Sequence, residues 1–117
     1  MGLNLREELD RLHAQVCSAL ADPNRILILY LLDETPLSVT ELVQKLDLSQ
    51  PSVSRHLKVL RERNMIHAQR EGQSFIYSLS DKRVIDALDL LRGMMADSLE
   101  SQAALARAAQ GAVQPEQ

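Results

Sequence analysis

The 117-residue sequence predicts a mainly α-helical fold that carries one small β-hairpin. Apolar residues recur at helical spacing over most of the chain, serine caps mark two short helices in its middle, and two alternating segments after them flank a glycine. Because 45% of the residues are hydrophobic but only 3% are aromatic, we expect an aliphatic core. The length suits one domain, expected over residues 1–110, with a disordered tail over residues 111–117.

The first two helices are predicted from leucine periodicity and from a proline-containing start. One amphipathic helix is expected from residue 4 to about residue 20, where the apolar positions are Leu5, Leu9, Leu12, Val16 and Leu20. Asp22 and Pro23 then predict a second helix, because Asp is a good N-cap and Pro suits the first helical position. We assign the apolar run 26–32 to this helix, buried, and residues 33–36 to a loop.

The middle of the chain predicts two short helices separated by a turn. Ser38 and Glu41 fit a capping box, which starts a helix that runs to about residue 46. After a two-residue turn, Ser49 caps a second helix that ends near residues 63–64.

A hairpin and a long helix complete the prediction. Residues 65–70 and 74–79 alternate as strands around Gly72, which supplies the positive φ of a tight turn. Ser80 or Asp81 is expected to cap a last helix with one apolar stripe, formed by Val84, Leu88, Leu91, Met95 and Leu99. Helix, turn, helix and hairpin in this order are the arrangement of a winged helix-turn-helix, whose natural partner is double-stranded DNA.

The charge distribution agrees with a DNA partner, although the chain as a whole is acidic. The net charge is −3 and the isoelectric point is about 5.5. Residues 48–70 nevertheless hold five cations and one anion, a net charge of +4, so the rest of the chain carries −7. Contact with phosphates depends on local charge, so this basic patch is compatible with DNA binding.

A helical wheel divides the second short helix into two faces. Val53, Leu57 and Leu60 share the side expected to face the core, and a polar, basic side lies opposite. Arg55 is suited to guanine and Gln50 to adenine, whereas Ser52, Ser54 and Lys58 suit phosphates. The predicted DNA-binding residues are Ser49, Gln50, Ser52, Ser54, Arg55 and Lys58 on this helix and Arg70 and Gln73 on the hairpin.

Three motifs resemble those of the ArsR/SmtB repressors. The run ALADPNRI over residues 19–26 looks like the family's LADPTRL signature, SQPSVSRHL over residues 49–57 resembles SQSxVSxHL, and Glu71, Gly72, Gln73 and Tyr77 match the REGRxxxY wing. The resemblance covers about residues 5–100. It implies a homodimeric repressor that binds a palindromic operator, is released by an inducer, and forms its dimer interface from the first and last helices.

The inducer sites that the resemblance implies are missing from this sequence. Residues 40–45, where thiophilic-metal sensors of the family have a cysteine pair, contain no thiol. In the last helix Arg83 stands at a histidine position, and the later histidine pair falls at Met94 and Asp97. We therefore predict no metal site and no cofactor, and the inducer stays unidentified.

His13 and Cys17 are the remaining candidates for sensing. They are four residues apart on the first predicted helix, so their side chains can meet. One interpretation is that Cys17 is a small apolar residue near the dimer interface. The alternatives are a redox role through oxidation or an intersubunit disulfide, and a metal site completed by the partner subunit, since two ligands are too few for a closed zinc site.

Two further function classes are considered. A winged helix that does not bind DNA would be a protein-interaction module, and the acidic overall charge of the chain favours this alternative. An enzyme is not expected, because no nucleophile with a base, no acid/base cluster and no phosphate-binding glycine loop is present. A single cysteine and the lack of a signal peptide or a long apolar run predict a cytoplasmic protein without a membrane segment.

Overall fold

The structure, a computed structural model, describes residues 4–113 and divides into two compact units, with the boundary between residues 82 and 83. The elements of the first unit are α1 (Leu5–Leu12), a π-helical turn (His13–Cys17), a 3-10 turn (Ala19–Ala21), α2 (Pro23–Glu34), β1 (Leu37–Ser38), α3 (Val39–Leu46), α4 (Gln50–Glu62), β2 (Ile66–Glu71) and β3 (Ser74–Leu79). The second unit is one helix, α5 (Arg83–Val113). No helix among residues 4–113 is long and apolar enough to cross a bilayer.

The first predicted helix is shorter than its apolar periodicity indicated. It is α-helical only to Leu12, and the backbone then widens into the π-helical turn, where the Ser18 amide donates to the His13 carbonyl at 3.0 Å. The Ser18 hydroxyl also donates to the Ala14 carbonyl at 2.6 Å, which is how serine competes with regular helix bonding. The prediction of one helix over residues 4–20 is therefore wrong beyond residue 12.

The start of α2 agrees with the prediction. The Asp22 carboxylate accepts a hydrogen bond from the Asn24 amide at 2.8 Å, and Pro23 is the first helical residue. The apolar run is a buried helix, with Ile28, Leu29 and Leu32 inaccessible to solvent. The helix extends to Glu34, so the first half of the predicted 33–36 loop is helical.

The two short central helices begin with the predicted caps. Ser38 and Glu41 form a complete capping box: the Glu41 amide donates to the Ser38 hydroxyl at 3.2 Å, and the Ser38 amide donates to the Glu41 carboxylate at 2.9 Å. Asp47 ends α3 with a φ of 55°, and the Ser49 hydroxyl accepts from the Ser52 amide at 3.3 Å to start α4. The left-handed Asp47 and the cap at Ser49 thus fix where α3 ends and where α4 begins.

The capping box makes part of the stability dependent on pH. The backbone amide and then the hydroxyl of Ser38 stabilise the Glu41 carboxylate, which lowers its pKa below the ordinary value of 4.5. A lowered pKa in the folded state stabilises the protein above the unfolded-state pKa, and this contribution is lost as pH falls through the folded-state pKa. Glu41→Gln keeps a capping partner but does not titrate.

We therefore expect the wild-type protein to lose stability relative to Glu41→Gln as pH falls below 4.5. Urea unfolding of both proteins over a series of acidic pH values measures this difference. A difference in unfolding free energy that stays constant over the series would contradict the assigned role of Glu41.

The predicted hairpin belongs to a three-stranded antiparallel sheet in the order β1-β3-β2. Glu71 pairs with Ser74, so Gly72 and Gln73 form the turn, and Gly72 has a φ of +65° as expected. The prediction of only two strands is wrong, because Leu37 and Ser38 pair with Tyr77 and Ile76 of β3. A two-residue strand is too short to produce an alternating pattern.

The core of the first unit fixes the rotation of α4. Val53, Leu57 and Leu60 are almost completely buried, as the helical wheel predicts. The other buried apolar residues of this unit are Ala19, Ile28, Leu29, Leu32, Leu37, Leu42, Met65, Ile66 and Tyr77. All of them except Tyr77 are aliphatic. Because α4 packs its buried side against this core, its opposite side is exposed to solvent.

The second unit is a single 31-residue helix. It begins at Arg83, slightly later than the caps predicted at Ser80 or Asp81, and it includes residues 111–113. These three residues begin the predicted tail, and they continue the helix of the alanine-rich stretch before them. The rest of the predicted tail, residues 114–117, lies outside the described residues.

Candidate nucleic-acid interface

The solvent side of α4 carries Ser54, Arg55 and Lys58, and Gln50 is the exposed first residue of the helix; we call these four residues the polar face. All four residues are exposed. Among the described residues, none forms a hydrogen bond or an ion pair with the side chain of Arg55 or Lys58. Two cations therefore stand on a rigid helix with their donor groups directed at solvent. This arrangement suits an anionic, hydrogen-bonding partner.

The serines near the start of α4 differ in their surroundings. Ser49 is exposed, but its hydroxyl oxygen already accepts the Ser52 amide. The cap does not use the hydroxyl proton of Ser49, which is therefore available to donate a hydrogen bond to a partner. Ser52 itself is half-buried, in contrast to Ser54. A phosphate near this helix end would also meet the positive end of the helix dipole.

The end of α4 is fixed by a left-handed residue. Asn64 has a φ of +61°, its amide donates to the Arg61 carbonyl at 3.0 Å, and the Met65 amide donates to the Leu60 carbonyl at 3.0 Å. These two bonds form a Schellman motif. The chain then enters β2 directly, and the Ser80 amide closes the base of the hairpin on the Met65 carbonyl at 3.0 Å.

One of the five cations counted in the basic patch does not face solvent freely. The Arg63 guanidinium donates to the carbonyls of Ala14 and Gln15, the latter at 3.5 Å, and to the Ser18 hydroxyl. It is therefore bound to the backbone between α1 and α2. The positive charge near the polar face therefore comes from Arg55, Lys58 and the exposed Arg61, and it is smaller than the net +4 of residues 48–70 indicates.

The hairpin, or wing (residues 66–79), carries the two other predicted residues. Arg70 and Gln73 are exposed, and the Arg70 Nε donates to the Gly72 carbonyl at 3.1 Å, which ties that side chain to the turn. Phe75 pairs with Arg70 across the strands and is 49% exposed. Sequence analysis did not single out Phe75. An aromatic residue next to the turn of a short hairpin was the available signal.

His56 has a partner that is distant in sequence. It is half-buried, and its Nδ1 lies 3.4 Å from an Nη of Arg25, a residue of α2 that is 31 positions away. A guanidinium has no acceptor atom, so in a hydrogen bond between these two groups Nδ1 is the acceptor.

The two candidate sensing residues lie at opposite ends of the π-helical turn. His13 and Cys17 are both exposed, and Cys17 is a free thiol. Beside this turn lies an open groove lined by Arg11, Ala14, Gln15, Glu62, Arg63 and Asn64. Within residues 4–113, no three His, Cys, Asp or Glu side chains lie close enough together to hold a metal ion. The predicted lack of a metal site and the role of Cys17 both stay predictions.

Comparison with known proteins assigns the chain to a family. Residues 22–68, which include α2, α3, α4 and the start of the wing, match the family described as "Bacterial regulatory protein, arsR family". The chain is also 34% identical over 91 residues to the transcriptional activator HlyU of Vibrio cholerae, covering 84% of that protein and 78% of itself. The chain belongs to the arsR family. The resemblance noted in its motifs is thereby confirmed.

Other arsR-type relatives have a comparable similarity. The transcriptional regulator NmtR of Mycobacterium tuberculosis is 43% identical over 79 residues, which are 65% of this chain and 66% of NmtR. The transcriptional repressor SmtB of the same organism is 39% identical over 87 residues, which are 71% of this chain and 64% of SmtB. The chain thus spans about two thirds of the length of these two proteins. These relatives are transcriptional regulators and not enzymes, as the sequence predicts.

A solved structure shows the same architecture. The solution structure of the homodimeric winged helix-turn-helix DNA-binding domain of Mb0332 from Mycobacterium bovis, a possible ArsR-family regulator, is 26% identical. It matches with a TM-score of 0.72 over 86% of this chain and 94% of that domain. The prediction of a mainly α-helical winged helix-turn-helix is confirmed.

Proposed function

We propose that this arsR-family protein is a homodimeric transcriptional repressor that binds a palindromic DNA operator through α4 and the wing. The observation that carries the proposal is the polar face of α4. Its basic side chains are exposed and without partners among the described residues, whereas the opposite side of the same helix is fixed in the core. A helix held in this way can enter the major groove without reorganising.

Each predicted contact has a chemical reason. Arg55 donates two hydrogen bonds to a guanine edge, and Gln50, at the exposed tip of α4, pairs with adenine. Ser49, Ser52, Ser54 and Lys58 contact phosphates, which set the register of the protein on the duplex. Arg70 and Gln73 extend from the wing to an adjacent minor groove or to the backbone.

Exposed apolar side chains on two helices support the proposed homodimer. Leu5, Leu9 and Leu12 share one side of α1 and are 68%, 47% and 47% exposed. On α5, Leu91, Met95 and Leu99 of the predicted stripe are 57%, 61% and 58% exposed. Monomeric proteins seldom leave such continuous apolar surfaces in water. A second copy that covers them gives a two-fold dimer, which requires an operator with two-fold symmetry.

Repression is the simpler direction of control for this chain. A repressor acts by occupying its operator, and SmtB is a repressor by name, whereas HlyU is named an activator. Release requires an inducer, which stays unidentified. A redox-responsive repressor is a second candidate, favoured by the exposed free thiol of Cys17. A cytoplasmic location remains a prediction.

The salt dependence of binding tests the electrostatic part of the proposal. Arg55, Lys58, Arg61 and Arg70 place four exposed cations near the interface in each subunit. If a dimer contacts about six to ten phosphates, its affinity falls roughly 10³–10⁵-fold between 50 and 200 mM salt, because bound counterions are released. Fluorescence anisotropy with a duplex taken from upstream of the encoding gene measures this slope.

A matched variant makes this measurement specific. Lys58→Gln is expected to reduce the slope of the logarithm of affinity against the logarithm of salt concentration by about one for each half-site. The loss of affinity should be equal for all DNA sequences. An affinity for DNA that does not respond to salt would contradict the proposed interface.

A further inference from the structure

Backbone carbonyls between α1 and α2 are bound by two arginines from other helices. We call residues 13–21, which comprise the π-helical turn and the 3-10 turn, the α1–α2 connection. An irregular helical segment of this kind leaves carbonyl oxygens without a helical partner, and such groups need donors. In the α1–α2 connection two arginine side chains donate to four of these carbonyls, and the Ser18 hydroxyl also donates to one of them, that of Ala14.

The first arginine comes from the end of α4. Arg63 is half-buried and donates to the carbonyls of Ala14 and Gln15 and to the Ser18 hydroxyl. Its own backbone position is fixed, because it is the C-cap residue of the Schellman motif that ends α4. A rigid helix end is therefore bound to the α1–α2 connection through one side chain.

The second arginine comes from α2 and contacts α4 at its middle. The Arg25 Nε donates to the Ala19 carbonyl at 2.6 Å, and one Nη donates to the Ser18 carbonyl at 3.3 Å. Its other Nη lies 3.4 Å from Nδ1 of His56. Its side chain is only 16% exposed, and Ala19 is fully buried beside it. This second contact joins the α1–α2 connection to α4 at His56, six residues before the helix ends.

We propose that Arg63 and Arg25 are positioning residues that set the orientation of α4 from the α1–α2 connection. The buried side of α4 already fixes its rotation in the core, and the two arginines add attachments at its middle and at its end. Through these attachments, a displacement of α1 or a change in the backbone of the α1–α2 connection alters the tilt of α4 and shifts its polar face. The inference rests on the proposed function, because DNA binding is the property that this orientation controls.

Two other roles for Arg63 make different predictions. If Arg63 contacts a phosphate, its loss lowers affinity for all DNA sequences and reduces the salt slope. If it only stabilises the fold, its loss lowers the melting temperature without altering the selectivity of the folded protein. A positioning residue changes the ratio of specific to non-specific affinity. Contacts with base edges require a defined orientation of α4, whereas contacts with phosphates tolerate a change in that orientation.

The experiment compares Arg63→Gln with Arg61→Gln, a charge-matched change two residues away at an exposed position. Affinity is measured for the operator duplex and for a scrambled duplex over a range of salt. Arg63→Gln is expected to lower operator affinity about tenfold or more, with the scrambled-duplex affinity and the salt slope unchanged. Arg61→Gln is expected to lower both affinities by a similar small factor and to reduce the slope. The same slope reduction with Arg63→Gln would overturn the proposal.

Two further variants cover the case in which Arg63→Gln does not fold. Arg63→Lys keeps the charge, but its ammonium group ends one bond short of the Nη that makes all three contacts of Arg63, so it is expected to lose selectivity as well. Ser18→Ala removes one acceptor of Arg63 at a position in the α1–α2 connection and is expected to lower selectivity by a smaller factor. Wild-type selectivity in both variants would overturn the proposal.

Hydrogen exchange separates this proposal from the proposed function. Ser18→Ala and Arg63→Lys are expected to increase amide exchange in α4 together with the α1–α2 connection, whereas Arg61→Gln leaves both unchanged. If the wild-type protein selects no operator, the proposed function fails, but the exchange experiment still decides whether the two segments are coupled. Exchange that rises in the α1–α2 connection alone would overturn the coupling.

Discussion

Arg55→Ala is expected to lower affinity for the operator by about 1–3 kcal/mol per half-site, which is roughly 5–150-fold for each half-site. The side chain is exposed, has no partner among the described residues, and lies on the side of α4 opposite the buried Val53 and Leu57. Its truncation removes donors without creating a cavity or an unpaired buried group. The variant should therefore keep its fold and its oligomeric state.

A second substitution at the same position distinguishes base contact from phosphate contact. Arg55→Lys keeps the positive charge but cannot donate two parallel hydrogen bonds to guanine. If Arg55 contacts a base, the lysine variant binds the operator nearly as weakly as Arg55→Ala, whereas contact with a phosphate leaves it close to the wild type. Gel-shift titration with operator and scrambled duplexes gives both affinities. An unchanged operator affinity in Arg55→Ala would remove α4 as the recognition helix.

Met95→Asp is expected to dissociate the proposed dimer and, with it, to abolish binding at micromolar protein concentration. Met95 lies on the predicted apolar stripe of α5 and is 61% exposed in a single chain. A carboxylate in the centre of a helix–helix interface has no partner there and would be desolvated at a cost that exceeds the gain from one apolar side chain. A monomer contacts only one half-site and loses the second binding event.

Leu90→Asp is the matched control for this change. Leu90 is 74% exposed on the same helix but lies on nearly the opposite side from Met95, and it receives the same charge. Analytical ultracentrifugation should find the Leu90→Asp protein dimeric and the Met95→Asp protein monomeric. A dimeric Met95→Asp protein would place the interface elsewhere.

The parts of the fold that sequence analysis predicted correctly are those that local chemistry determines. The caps at Asp22, Ser38 and Ser49 and the turn at Gly72 each involve residues within three positions of one another, and all four occur as predicted. The buried face of α4 follows from side-chain spacing alone. Seven of the eight predicted site residues are exposed and Ser52 is half-buried, and their contacts with DNA remain predictions.

The errors occur where distant residues determine the structure. The π-helical turn is bound by Arg63, which lies 45 to 49 positions further along the chain, so a helical period could not reveal that the first helix would end early. The same bonds explain why the charge count was too high, because a sequence does not tell whether a guanidinium faces solvent or a carbonyl. Strand β1 was missed because its pairing with β3 involves only two residues.

Footprinting on the DNA upstream of the encoding gene tests whether this protein binds an operator. We expect one protected region with two-fold symmetry, in which two half-sites are separated by about one helical turn of DNA or a multiple of it. Protection should disappear with Arg55→Ala at the same protein concentration and should be stronger than on unrelated DNA. A folded protein that protects no region of this DNA, or that protects all sequences equally, would contradict the account and favour a protein-interaction module.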